Sequence, residues 1–236
     1  MLSVKSTFAK NIMLLFALLF YGVSFSQDSS YAQWQLEAQT NIRMHPKFNN
    51  ARKSPEQIAA DDKLIAEYVA QEGSRQKASE KLMMLGFNYL YKDDIKTAMY
   101  RFNQAWLLNP ENENAFWGFG AIYLSFGDIE KALAQYDEGL KMNPKSTNLL
   151  TDKGTAYMYK YQQELLPADM DRAIELLLQS YAIDNTNQNT VFKLSACYFF
   201  KEDCPNALKY LIECEALGGQ PITDEYRDAV KAKCAK

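Results

Sequence analysis

The chain has 236 residues, 47% of them hydrophobic and 23% charged, which is enough apolar mass to bury a sizeable core. Its 26 basic and 29 acidic side chains give a formal charge of −3, so no basic excess draws it to nucleic acid or to an anionic lipid surface. A single histidine and four cysteines leave little material for a metal centre or a histidine-based catalytic set.

Residues 1–26 carry Lys5 and Lys10, an apolar run from Ile12 to Tyr21, and then Ser24-Phe25-Ser26, a small-x-small cleavage site before Gln27. This pattern predicts a signal peptide and an exported protein, periplasmic or secreted. The apolar run is too short to span a bilayer, for which about 20 residues are needed, so no membrane insertion is expected after cleavage. No cysteine lies at the cleavage point to accept a lipid.

Residues 27–53 are polar and rich in Gln, Asn and Ser, with Trp34, Leu36, Met44 and Phe48 scattered among them, and they read as largely extended. At Ser54-Pro55-Glu56-Gln57 the chain offers an N-cap, a proline for the first helical position and a glutamine to close a capping box. A helix is predicted over residues 54–73, running to Glu72 and stopped by Gly73, with Ser74 capping the next.

From there a period governs the sequence. Gly86, Gly120 and Gly154 stand 34 residues apart. Around the first glycine lie Leu82, Leu85 and Tyr89, followed by Ala98, Phe102, Ala105 and Pro110; around the second lie Phe116, Phe119 and Tyr123, followed by Ala132, Tyr136, Gly139 and Pro144. Each unit thus holds two amphipathic helices, the first with a glycine where a neighbour must approach its backbone, the second ended before a proline. This pattern resembles the tetratricopeptide repeat, whose helix-turn-helix unit has the same length. The resemblance implies an all-α, right-handed α-solenoid of about four helix pairs over residues 74–220, with units near 79–112, 113–146, 147–187 and 188–221.

In the third unit the small second-helix residue, Ala173, follows Gly154 by 19 positions instead of 12, so seven extra residues around 161–167 should lengthen the first helix and enlarge its turn. The fourth restores the spacing with Ser195 and Ala207. A C-terminal cap helix is predicted within residues 222–236, with Tyr226, Val230 and Cys234 on one face to cover the end of the array.

In the family it resembles, first helices line a partner-binding groove. Carried to this chain, those positions are Met83, Phe87, Leu90 and Tyr91; Asn114, Trp117 and Leu124; Asn148, Thr151, Met158 and Tyr159; and Asn189, Phe192, Phe199 and Phe200. Where the carboxylate-gripping variant of the family places charged and amide groups, this chain has Met83 and Phe87, which points to an apolar or amphipathic segment of a protein or peptide partner. The resemblance and the export signal together imply a non-catalytic adaptor or scaffold, a monomer serving a partner in the cell envelope. The alternative is a periplasmic chaperone or assembly factor, and the competing occupant of the groove is the chain's own segment around Trp34.

Neither a nucleophile elbow, a phosphate-binding loop nor a zinc-protease helix motif occurs, and His45 sits in a turn-like Met44-His45-Pro46 context. No catalytic residue, metal or cofactor is expected. The four cysteines, Cys197, Cys204, Cys214 and Cys234, fall in the last forty residues, where export permits disulfides. In the repeat frame Cys204 with Cys234 is the favoured pair, Cys197 with Cys234 its rival, and four buried thiols the remaining alternative.

Overall fold

The computed structural model describes residues 27–234, with side chains from Tyr31 onward. The signal-peptide reading concerns residues 1–26 and lies outside them. Among the described residues every regular element is helical. They form two compact units, one up to Asp152 and one from Lys153.

The N-terminal unit begins with α1 (Gln27–Ala38), two short 3-10 turns at Ile42–Met44 and Pro46–Asn50, and α2 (Pro55–Glu72). Two helix pairs follow: α3 (Arg75–Leu90) with α4 (Ile95–Leu108), and α5 (Asn114–Ser125) with α6 (Ile129–Met142). The Ser54–Gln57 capping box forms in full, and Gly73 closes α2 in the left-handed region. The second helices start alike: Asp94 accepts from the Thr97 amide and Asp128 from the Lys131 amide, each at 3.1 Å. Before each of these aspartates the chain turns through a left-handed residue, Asp93 or Gly127.

Packing explains the glycine period. A Cβ on Gly86 would collide with the ring of Phe102, and one on Gly120 with the ring of Tyr136; both rings are fully buried. Each lies 16 positions after its glycine, so the second helix folds back to lay an aromatic ring on the bare backbone of the first.

Residues 27–53 correct the expectation of a largely extended segment. Tyr31, Trp34 and Ala38 fall at i, i+3 and i+7 along α1, and Trp34, Ala38, Met44 and Phe48 are buried. The segment acts as a strap across α4 and the turn after α5. Trp34 and Tyr31 meet the ring of Phe126 at 5.2 and 4.6 Å, the Tyr31 hydroxyl donates to Asp128 at 2.5 Å, and Glu37 pairs with Lys96. Asn103, wholly buried on α4, donates to the carbonyls of Arg43 and His45 at 2.9 Å and accepts from the Phe48 amide at 3.3 Å. Those bonds hold a left-handed run from Lys47 to Asn50, a backbone that side-chain-bearing residues adopt only under such constraint.

The C-terminal unit begins within α7 (Thr147–Glu164) and continues with α8 (Pro167–Ile183), α9 (Gln188–Phe200), α10 (Cys204–Ala216) and α11 (Asp224–Cys234). The seven extra residues of the third unit do not enlarge its turn. Only Leu165 and Leu166 separate α7 from α8, and the insertion is taken up as helix: 18 and 17 residues, against 12 and 14 in the pair before. Pro167, at the first helical position of α8, fixes where the new helix starts.

Helix α11 buries only Tyr226 and Val230, too little apolar surface to hold an eleven-residue helix securely. A disulfide joins its Cys234 to Cys204 at the start of α10, with the Cα atoms 5.1 Å apart. Arg227 adds ion pairs to Glu215 and Asp224, and Lys233 one to Glu202. Replacing both bridged cysteines with serine should cost on the order of 3 kcal/mol, the chain-entropy value for a loop of this size. Urea unfolding of the oxidised chain and the double variant measures it; an unchanged midpoint would mean that burial and the ion pairs hold α11 without the bridge.

Candidate partner-binding faces

In the N-terminal unit α3 and α5 carry a run of aromatic contacts. The ring of Phe87 lies 4.1 Å from Trp117, 5.0 Å from Phe102 and 6.3 Å from Tyr91. The indole N–H of Trp117 donates to Asp152 at 2.7 Å, which fixes the plane of the ring. Phe87 and Trp117 are half-buried, and Tyr91 is 80% exposed. Leu90, Asn114, Leu124 and Asn148 are likewise partly open. Met83 and Thr151 are not: both are buried, Met83 in the cluster that holds Leu82 and Phe102. Those two are withdrawn from the candidate surface, because too little of either side chain is open for a partner to touch.

The C-terminal unit departs further from an open face. Met158, Phe199 and Phe200 are buried, and Phe192 is half-buried. The covering residue is Tyr226 of α11, whose ring lies 5.2 Å from Phe192 and 6.0 Å from Phe199 and whose hydroxyl is 2.7 Å from that of Ser195. The cap helix therefore lies against the aromatics of the last pair. Tyr159 remains partly open, and Asn189 is exposed.

Two residues that order the N-terminal unit, one at the α3–α5 face and one under the strap, carry only a faint mark in the sequence. Asp152 follows Trp117 by 35 positions, one repeat plus one residue, so the period predicts adjacency of their helices but not the hydrogen bond. Asn103 has no counterpart, since the same position of the next pair is the exposed Asp137.

The unbridged thiols lack a nucleophile's setting. Cys197 and Cys214 are fully buried, and burial disfavours the thiolate, pushing them up to about 12 and about 11. Unfolded thiols ionise near pH 8.5, so the stability tied to keeping both protonated is whole below that pH. It drains away as the pH climbs toward the folded values. Iodoacetamide at pH 8 should modify neither cysteine in the native chain and both after denaturation. The fall in unfolding midpoint between about pH 9 and 11 should be shallower in Cys197→Ala. Rapid native alkylation of Cys197 would contradict its burial.

Searches against known proteins place the architecture. The structure is similar to a thermophilic TPR protein of Thermus thermophilus, with a TM-score of 0.55 and 19% identity over 66% of this chain and 80% of that one. It is similar to the Cut9–Hcn1 hetero-tetramer of the APC/C at 0.53, with 17% identity over 70% of this chain and 34% of that one. Yeast Tom70 follows at 0.52, with 17% identity over 82% and 45%. The fold is that of tetratricopeptide-repeat proteins. At these identities the likeness speaks for the fold. The chain matches no protein-family model and no curated protein sequence.

Proposed function

We propose that the chain is a non-catalytic protein–protein interaction module, exported by a cleaved signal peptide to the periplasm or beyond. It acts as a monomer that docks an apolar or amphipathic segment of a cell-envelope protein on the α3–α5 face. The observation that carries this reading is the open aromatic set of Tyr91, Phe87 and Trp117, in which Phe87 and Trp117 are fixed by mutual packing and by Asp152 and Tyr91 stands exposed beside them. Rigid aromatic anchors with one exposed side supply large contact area at small entropic cost, which is the usual basis of binding hot spots. The tetratricopeptide fold supports the same reading by analogy.

The strap lies on α4, so on this reading the α3–α5 face is left to a partner rather than to Trp34. Tyr91 separates binding from folding, because its side chain is almost free of the core. A photo-crosslinking amino acid at position 91, in the full chain within its own envelope, should give one dominant adduct. Tyr91→Ala should weaken binding to that protein by tenfold or more, about 1.4 kcal/mol, with the unfolding midpoint unchanged. A broad ladder of adducts would favour the chaperone, and undiminished affinity in Tyr91→Ala would remove this face as the site.

A further inference from the structure

A cleft of about 290 Å³ opens in the N-terminal unit between the strap, α2 and α4, and it shares no residue with the face carrying Tyr91 and Trp117. Its volume sits at the lower end of small-molecule sites. The walls are mixed: Ile42 and Phe48 from the strap and Ala60 and Leu64 of α2 supply an apolar part, and Gln57 and Gln104 add amide groups. Helix α2 fully buries none of its eighteen residues; Ile65, Tyr68 and Val69 pack partly buried against the core, and Ala60 and Leu64 border the cleft.

The charged groups around this space are positioned individually. Lys53 is compensated: it pairs with Asp61, and its ammonium rests 3.6 Å from the centroid of the Phe48 ring. Arg43 is not. Its guanidinium carbon lies 3.9 Å over the ring of Tyr100, whose hydroxyl accepts from the Asn41 amide at 2.9 Å, and its backbone carbonyl is held by Asn103. No carboxylate among the described residues pairs with it. A guanidinium stacked on a ring keeps its edge N–H groups for a planar acceptor. The cleft therefore presents one uncompensated positive charge beside apolar volume, on a chain whose net charge is negative.

From this geometry we infer that the cleft binds a small organic monoanion, a carboxylate with a short apolar body. The carboxylate takes the edge of Arg43, and the body lies among Phe48, Ala60 and Leu64. A phosphate monoester fits less well, because its second charge would stand near Asp61 without a free cation to meet it.

Calorimetric titration of the full chain tests this with 4-methylpentanoate, its uncharged amide, and N-acetylglycylleucine. The acid should bind saturably and the amide at least tenfold more weakly. Arg43→Gln should lose at least tenfold for the acid and nothing for the amide. Leu64→Trp, which fills the cleft and leaves Arg43 in place, should abolish binding, and Ala60→Phe serves as a second blocking variant should Leu64→Trp lower the folded fraction. Tighter binding of N-acetylglycylleucine than of 4-methylpentanoate assigns the natural carboxylate to a peptide chain end; the reverse order assigns it to a free acid. The inference is overturned by no saturable binding of either acid up to about 10 mM, by equal affinity for acid and amide, or by binding that survives both blocking variants.

Discussion

An aromatic ring seated on a bare helix backbone sets the geometry of the helix pairs. Phe102 covers Gly86 and also faces Gly118 of the following helix, while Tyr136 covers Gly120. A ring that touches backbone on two first helices fixes the distance between both, so one contact defines the pair and its junction with the next. The helix-interior glycine costs roughly 1 kcal/mol against alanine. Burial of a whole ring, typically about 1.5–3 kcal/mol or more, outweighs that cost.

Where the contact changes, the structure changes with it. In the third pair the large partner of Gly154 is Leu177, 23 positions on, and the seven added residues become additional helix on both sides of a two-residue turn. In the fourth pair Ser195 replaces glycine. Its hydroxyl donates to the Ala207 carbonyl at 2.8 Å and meets the Tyr226 hydroxyl, so a polar clamp stands where a ring lies elsewhere. The last pair thereby gains a grip on α11, and the disulfide fastens the far end of that helix. Both devices shield the aromatic surface of that pair, where Tyr226 lies against Phe192 and Phe199.

The repeat was legible because its signals are local and periodic. Glycine at an interval of 34, a ring 16 positions later, the aspartate caps Asp94 and Asp128 of the second helices and the Ser54 capping box all follow from short-range sterics and hydrogen bonding. The strap was harder. Tyr31, Trp34 and Ala38 do form a helical stripe, but a polar composition hid it, and the left-handed turn at Lys47–Asn50 is imposed by Asn103, more than fifty residues away. The binding face was legible in direction only. Position within a first helix says which way Phe199 or Met83 points, whereas the neighbours that bury them depend on where α11 and the core residues come to rest.

A double-mutant cycle between Gly120 and Tyr136 isolates the ring-on-glycine contact. Unfolding free energies of the chain, Gly120→Ala, Tyr136→Leu and the pair are compared. Gly120→Ala alone should destabilise by about 1–3 kcal/mol through overpacking. In the Tyr136→Leu background the same alanine should cost less than about 0.5 kcal/mol, leaving a coupling of more than about 0.5 kcal/mol. Additive effects within about 0.3–0.5 kcal/mol would contradict the account, since the ring would then not be what the glycine makes room for.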